Sequence, residues 1–396
     1  MSARSTGPFG LGRVLSARHV RWFEVDWHIL IIAGCLLLFG LLFLNAMDGS
    51  LSNQYEGDID FSGHLKKVLL TSPLILVGML VRPGWLRRNA HVLYFACLVL
   101  LALVPFIGDE RNNARRWIQL PMFDLQPSEL AKLGVILMLA KILHRSRLKD
   151  LEDWMKPAFV AFVPMGMVVL QPDLGTALTI VPITLGMLYL AGARGRALFM
   201  LVACGLFVGY LGVRAGMVKE YQLKRVDTWV DSYQPEDLIQ ERNRLGFHVY
   251  HARTAIGNGG WLGTGLGRGI ANETGHLPER DSDSIFAVIA EESGFIGAGA
   301  LLFLYTLLVI LLMASAAGLR DRFSRLVVGG VALYFAAHVF INAAVNLGLL
   351  PMTGLTLPLF STGGSSLLVT FLALGLALGL ASHHTASLDQ DSFRTY

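Results

Sequence analysis

The chain has 396 residues, of which 54% are hydrophobic and only 16% charged, and its mean hydropathy is +0.53. A soluble chain of this length carries about 25% charge, so this composition excludes an ordinary water-soluble globule and points to a surface that largely faces lipid. The net charge of +4 does not mark a nucleic-acid binder, because the basic residues are divided among short loops between apolar runs.

A membrane-spanning helix needs about 20 apolar residues. The basic segment 1–26 holds Arg4, Arg13, Arg18 and Arg21. It resembles the start of a signal peptide, but the apolar run after it is long enough to span and no A-x-A site follows, so it is read as leading into a retained first helix. About ten apolar runs follow one another, over 27–46, 65–81, 90–107, 128–143, 157–170, 174–192, 197–216, 285–314, 326–346 and 363–382. Pro73, Pro157, Pro164 and Pro182 interrupt some of them, which membrane bundles tolerate where neighbouring helices bury the freed backbone groups. The 42 glycines suit close helix packing. Cys35, Cys97 and Cys204 each lie in an apolar run without a CxxC or a nearby His, so neither a disulfide framework nor a structural metal is expected.

Alternate loops are basic: the N-terminus, then Arg82/Arg87/Arg88, Arg145/Arg147/Lys149, Arg194/Arg196 and Arg320/Arg322/Arg325. The first opposite loop carries Asp48, Glu56, Asp58 and Asp60 instead. The positive-inside rule then puts both termini in the cytoplasm. The expected fold is an all-α polytopic membrane protein, a single membrane domain over 1–396 with a large outer loop at 217–284 between helices 7 and 8 and a polar tail at 383–396. Two outer segments are nevertheless basic: 108–127, with Arg111, Arg115 and Arg116, and 217–284, with Lys219, Lys224, Arg225, Arg242, Arg244, Arg253, Arg268 and Arg280. Long loops escape the charge rule; an anionic ligand at the outer surface is the other explanation.

Several segments carry chemistry. The glycine-dense stretch Ile256–Gly269 either turns its amides to a phosphate or forms a re-entrant loop; lacking a preceding strand and a Walker lysine, it is no nucleotide site. The stretch Leu277–Phe286 sets Glu279, Arg280, Asp281 and Asp283 just before an apolar helix. A partly desolvated carboxylate there suits a general base, while Asp281, Ser282 or Asp283 equally suits a helix cap. Glu291 and Glu292 fall inside the eighth helix, and Glu129 and Lys132 stand three residues apart in the fourth, a natural buried pair. Asp173 follows Pro172 at the outer end of the fifth run. His338, Asn342 and Asn346 recur every four residues on one face of the ninth helix, read first as helix–helix hydrogen-bonding groups.

Six motifs in order resemble those of the SEDS family of membrane glycosyltransferases, which includes RodA and FtsW. Asn113–Trp117 is similar to GARRW, Gln126–Lys132 matches QPSE-x-x-K and Gln171–Ala177 matches QPDLGT. Ala255–Gly260 resembles AIGSGG, Leu277–Phe286 resembles LPERHTDFIF, and Leu357–Ser365 resembles LPLVSYGGS. The resemblance implies polymerisation of lipid II into glycan strands at the outer face of the bacterial cytoplasmic (inner) membrane, in cell elongation or division, by inverting displacement of a polyprenyl diphosphate. It puts the general base on Asp283 and gives Arg115, Arg116 and Arg268 the diphosphate charge. Glu279, Asp281, Ser361 and Ser365 join the substrate-binding set, and Glu129, Lys132, Asp173 and Thr176 a polar core. A class B penicillin-binding protein is implied as partner. A divalent cation, Mg or Mn, suits the diphosphate, although the sequence shows no closed set of metal ligands.

The chain also departs from the pattern. His-Thr before the catalytic Asp is Asp281-Ser282, the following Phe is Ser284, and the tyrosine of SYGG is Thr362. Asp281 is thus a second candidate base. Gly246-Phe247-His248 is nearer the GYH of RodA than the GYQ of FtsW, though His251-Ala252 replaces the usual Gln-Ser. Two other classes of function remain open: a flippase that moves a lipid-linked sugar without joining it, which tolerates Asn at position 283, and a non-catalytic scaffold, which does not need Glu129, Lys132 or Asp173.

Overall fold

The structure is a computed structural model that describes residues 14–15, 20, 22–50, 59–111, 114–119, 124–146, 148, 151–214, 216, 220–231, 244–274 and 277–382. Asn113, Arg147, Lys149, Lys219, Arg242, Glu56, Asp58 and the tail 383–396 lie outside the described residues.

The long helices are α1 (Trp27–Asp48), a broken pair α2 (Phe61–Thr71) and α3 (Leu74–Leu80), α4 (Pro83–Ile107), α5 (Pro127–Leu143), α6 (Leu151–Leu170), α7 (Leu174–Leu190) and α8 (Gly195–Arg214). After α9 (Glu220–Asp231), α10 (Arg244–Gly259) and the short α11 (Ile270–Thr274) come α12 (Ile285–Gly318), α13 (Arg322–Asn346) and α14 (Gly364–Ser382). Eight helices among the described residues are long and apolar enough to cross a membrane. Of the other two predicted spans, α7 is apolar but has only 17 residues, and α5, also of 17, carries Glu129, Lys132 and Lys141. Every predicted run is helical, but several begin earlier than read. Thus α4 starts at Pro83, whose missing N–H costs nothing at a first helical position, and takes in Arg87 and Arg88, which interrupt the apolar pattern but not the helix. Asp60, Asp173 and Asp321 cap α2, α7 and α13 by accepting the backbone N–H groups of Gly63, Thr176 and Ser324.

Two segments carry regular structure where the sequence reads as loop, and one of them is not helical. The strands β1 (Asp109–Arg111), β2 (Ala114–Gln119) and β3 (Asp124–Leu125) form a three-stranded antiparallel sheet, with Glu110 opposite Arg115 and Ile118 opposite Leu125. The segment 217–284 is not one loop but carries α9, α10 and α11.

Helix α13 is the buried axis, packed against α5, α7, α10, α12 and α14. Small residues set the closest approaches, the usual solution where lipid gives no hydrophobic drive between helices. A methyl group on Gly78 would lie 2.7 Å from the amide of Leu376, and one on Gly379 2.6 Å from the carbonyl of Met79. Helix α12 breaks at Gly294, whose φ of +68° suits only glycine. The break frees the Glu291 and Glu292 carbonyls, and the amides of Thr264 and Gly265 take them, at 3.0 Å each. Phe295 and Ile296 donate back to the carbonyls of Gly260 and Trp261. The Glu291 carboxylate accepts from Asn258 and the Ala271 amide, and that of Glu292 from Asn272. The amides of Thr264 and Gly265 are therefore committed to this broken helix and not free for a phosphate, and the carboxylates anchor the segment.

Filling the α3–α14 seam should destabilise the bundle by overpacking. For Gly379→Val we expect a loss of about 1–3 kcal/mol, read as a lower melting temperature of the purified protein in detergent, with Gly84→Val, where a side chain meets nothing within 4 Å, as the neutral comparison.

Candidate active site

Several segments meet at a cavity of about 1120 Å³. Its lining comes from the turn before α12, the starts of α5 and α7 and the stretch 351–363 that leads into α14, with single residues or pairs from α2, β2, β3, α9 and α10. Among the lining residues are Asp283, Glu279, Arg116, Lys67, Arg225, His248, Glu129, Asp173, Thr176 and Ser365.

The turn from Leu277 to Ser284 is tied down almost residue by residue. The amides of Ser282 and Ser284 both donate to the Glu279 carbonyl, at 3.0 and 3.1 Å, and Glu279 itself sits at a φ of +49°, a conformation costing about 1 kcal/mol or more for a non-glycine residue. The Ser361 hydroxyl donates to the Ser282 carbonyl at 2.6 Å while accepting the Leu357 amide at 2.8 Å. Asn342 and Asn346 donate to the Asp283 carbonyl at 3.0 and 2.9 Å, and Asn342 reaches the Leu355 carbonyl at 2.7 Å. The α13 asparagines therefore hold two loops, where a helix–helix role was expected.

The two candidate carboxylates are sharply different. Asp281 Oδ2 accepts the Thr362 hydroxyl at 2.6 Å, and the Thr362 amide donates to the Asp281 carbonyl at 3.1 Å. Asp283 lines the cavity; its Oδ1 is buried without a hydrogen-bond donor, 3.8 Å from His248 Nε2. Neither caps α12, whose first turn takes no side-chain cap from Ser284.

Behind Glu129, which lines the cavity, Lys132 is completely buried, with Nζ 2.6 Å from Glu129 Oε1 and 2.7 Å from His338 Nε2, over the ring of Tyr334. His338 Nδ1 reaches the Thr356 carbonyl at 3.2 Å. Asp173 accepts from Gln126, Ser128 and the Thr176 amide, and Arg116 donates to the carbonyls of Gln171 and Pro172. Ser365 accepts the Gln126 amide at 2.7 Å and donates to the Asp124 carbonyl, joining β3 to α14. Among the described residues no three of His, Cys, Asp and Glu group as a metal cage.

A family model described as "Cell cycle protein", for FtsW, RodA and SpoVE, matches residues 26–386. The chain belongs to the FtsW/RodA/SpoVE family. It is 34% identical over 373 residues to a probable peptidoglycan glycosyltransferase FtsW of Trichlorobacter lovleyi, covering 91% of this chain and 94% of that one. It is 35% identical over 362 residues to the peptidoglycan glycosyltransferase MrdB of Escherichia coli, again covering 91% and 94%. Among solved structures, a chain from work described as "Structural coordination of polymerization and crosslinking by a peptidoglycan synthase complex" superposes with a TM-score of 0.76 at 31% identity, covering 94% of this chain and all (100%) of that one. The rod-shape-determining protein RodA of Thermus thermophilus superposes with a TM-score of 0.67 at 29% identity, covering 94% of this chain and 99% of that one.

Against the family motifs, the cavity gathers Asp283, Glu279, Arg116, Glu129, Asp173, Thr176 and Ser365, with Lys132 one contact behind. It does not gather all of them. Arg115 is exposed and donates to the Pro105 carbonyl, Arg268 is exposed and does not line the cavity, and Asp281 and Ser361 serve the turn from behind. Lys67 and Arg225 line the cavity although the motifs point to neither. Their only signal was a lysine inside an apolar run, which is costly unless used, and a basic segment on the side where the charge rule asks for none.

Lys132→Met strands the Glu129 carboxylate in the bundle. We expect a loss of about 3–5 kcal/mol, seen as a lower melting temperature, and substantial recovery in the Glu129→Gln/Lys132→Met double variant.

Proposed function

We propose that this chain is a peptidoglycan glycosyltransferase that polymerises lipid II at the outer face of the cytoplasmic membrane, with Asp283 as general base. The observation that carries this reading is a nearly buried carboxylate, tethered through its own carbonyl, at a large cavity that also holds Arg116, Lys67 and Arg225. The names of its relatives support the reaction, and the alternation of basic loops supports putting the cavity on the outer side.

The acceptor sugar's 4-hydroxyl gives its proton to the Asp283 carboxylate as its oxygen attacks the anomeric carbon of the donor strand. The bond from that carbon to the diphosphate oxygen breaks, and polyprenyl diphosphate leaves with the electron pair. One displacement inverts an α-linked diphosphate to a β-1,4 link, so a single base suffices, and Asp283 then returns the proton to water in the cavity. The charge on the leaving diphosphate falls to Arg116, Lys67 and Arg225 in place of Arg115 and Arg268. A Mg or Mn ion would enter with the diphosphate; the protein offers no closed cage for one among the described residues, and no step here uses it. A class B penicillin-binding protein fits as partner, given the likeness to a chain of a peptidoglycan synthase complex.

Incubating the purified protein with lipid II, alone and with its transpeptidase, and resolving glycan strands on gels tests this. Asp283→Asn should lower strand synthesis by at least about 100-fold, while Asp281→Asn, which only weakens the Thr362 contact, should retain most of it. Strands from Asp283→Asn at the wild-type rate would remove the base. No strands from the folded wild type with its partner would favour the flippase or scaffold.

A further inference from the structure

His248, on α10, is buried and lines the cavity beside Asp283. Its Nε2 lies 3.0 Å from Ser284 Oγ and 3.8 Å from Asp283 Oδ1, while Nδ1 is buried with no hydrogen-bond partner. A neutral imidazole carries one N–H, and a buried N–H without an acceptor costs more than an unused lone pair. The proton is therefore assigned to Nε2, the nitrogen with two oxygens in reach. Ser284 accepts it in this arrangement. A ring movement of about 1 Å brings the same N–H to ordinary hydrogen-bond distance of Asp283 Oδ1.

Asp283 has a matching need. Its Oδ1 is buried with no donor, and a buried carboxylate oxygen gains from one. Oδ2 is on the other side, where a methyl group on Gly354, another lining residue, would lie 3.7 Å from it. The two oxygens therefore face different surroundings: Oδ1 toward the imidazole, Oδ2 toward Gly354 and the cavity.

We infer that His248 is a positioning residue for the base: its Nε2–H, steadied by Ser284, takes Oδ1 of Asp283 when substrate fills the cavity and so turns Oδ2 to the acceptor hydroxyl. Ser284 is integral to this device, because a serine hydroxyl parks the imidazole beside the carboxylate. The inference rests on Asp283 being the base, as proposed above.

The test compares His248→Gln, which keeps an N–H donor at that reach, with His248→Phe, which keeps bulk but no donor. Strand synthesis by the full-length protein with its transpeptidase is measured over a range of lipid II concentrations. His248→Phe should lower kcat about 10- to 100-fold, the usual consequence of a misplaced reacting group, with KM for lipid II within about twofold, since ground-state binding is untouched. His248→Gln should recover most of kcat. In an Asp283→Asn background His248→Phe should add no further loss. Equal kcat in wild type and His248→Phe, an equal loss in the Gln and Phe variants, or a loss confined to KM would each overturn the inference. Melting temperatures of both variants separate a folding defect from a positioning one, and a kcat loss that tracks melting temperature counts against it. Failure of the underlying reading shows differently, as absent strands in wild type or full activity in Asp283→Asn.

Discussion

Asp283 is held by its backbone: the side-chain amides of Asn342 and Asn346 converge on its one carbonyl oxygen. In a buried setting such bonds are stronger than in water, and leaving one of these groups unpaired is expensive. The turn cannot move without costing each buried side-chain amide one of its bonds, and Asn342 is at the same time bound to the Leu355 carbonyl on another stretch of the cavity wall. One helix face thus fixes both the carboxylate and the wall that faces it. Because the hold is on the carbonyl, the carboxylate keeps its oxygens for chemistry.

The same face of α13 continues inward to His338, which meets Lys132, which meets Glu129 at the cavity wall. A buried ion pair is a poor source of stability, since desolvation consumes most of its Coulombic gain. Its value here is geometric: it locks α5 to α13 at the level where the cavity forms, and Thr356 closes the link from His338 to the 351–363 stretch. Asp173 performs a similar task for α7, spending both carboxylate oxygens on Gln126, Ser128 and the first turn of its own helix. Asp173 is thus engaged through both oxygens and Glu129 through Oε1, in its ion pair, whereas the Asp283 carboxylate is in no such pair and its Oδ1 has no donor.

The helices were legible because twenty apolar residues in a row admit little else. Their polar starts were not, because Arg87 and Arg88 interrupt the apolar pattern without interrupting the helix. The sheet of β1, β2 and β3 was missed for a similar reason: short strands with six charged residues leave no alternating apolar face to read. The glycine-rich segment was legible as close backbone approach but not as to what approaches, which proved to be the broken end of α12 and not a phosphate. Motif order brought Asp283 and Arg116 to the cavity. It could not say that Arg268 is exposed, that Lys67 lines the cavity from the second predicted span, or that Thr362, the departure from tyrosine, occupies Asp281 and so separates two carboxylates that looked interchangeable.

A structure of the protein with a lipid-linked disaccharide diphosphate bound would test the central claim most directly. The account predicts the acceptor hydroxyl within hydrogen-bond distance of the cavity-facing oxygen of Asp283 and the diphosphate against Arg116, Lys67 or Arg225. A substrate whose sugars lie away from Asp283, or whose diphosphate rests on exposed Arg268, would contradict it.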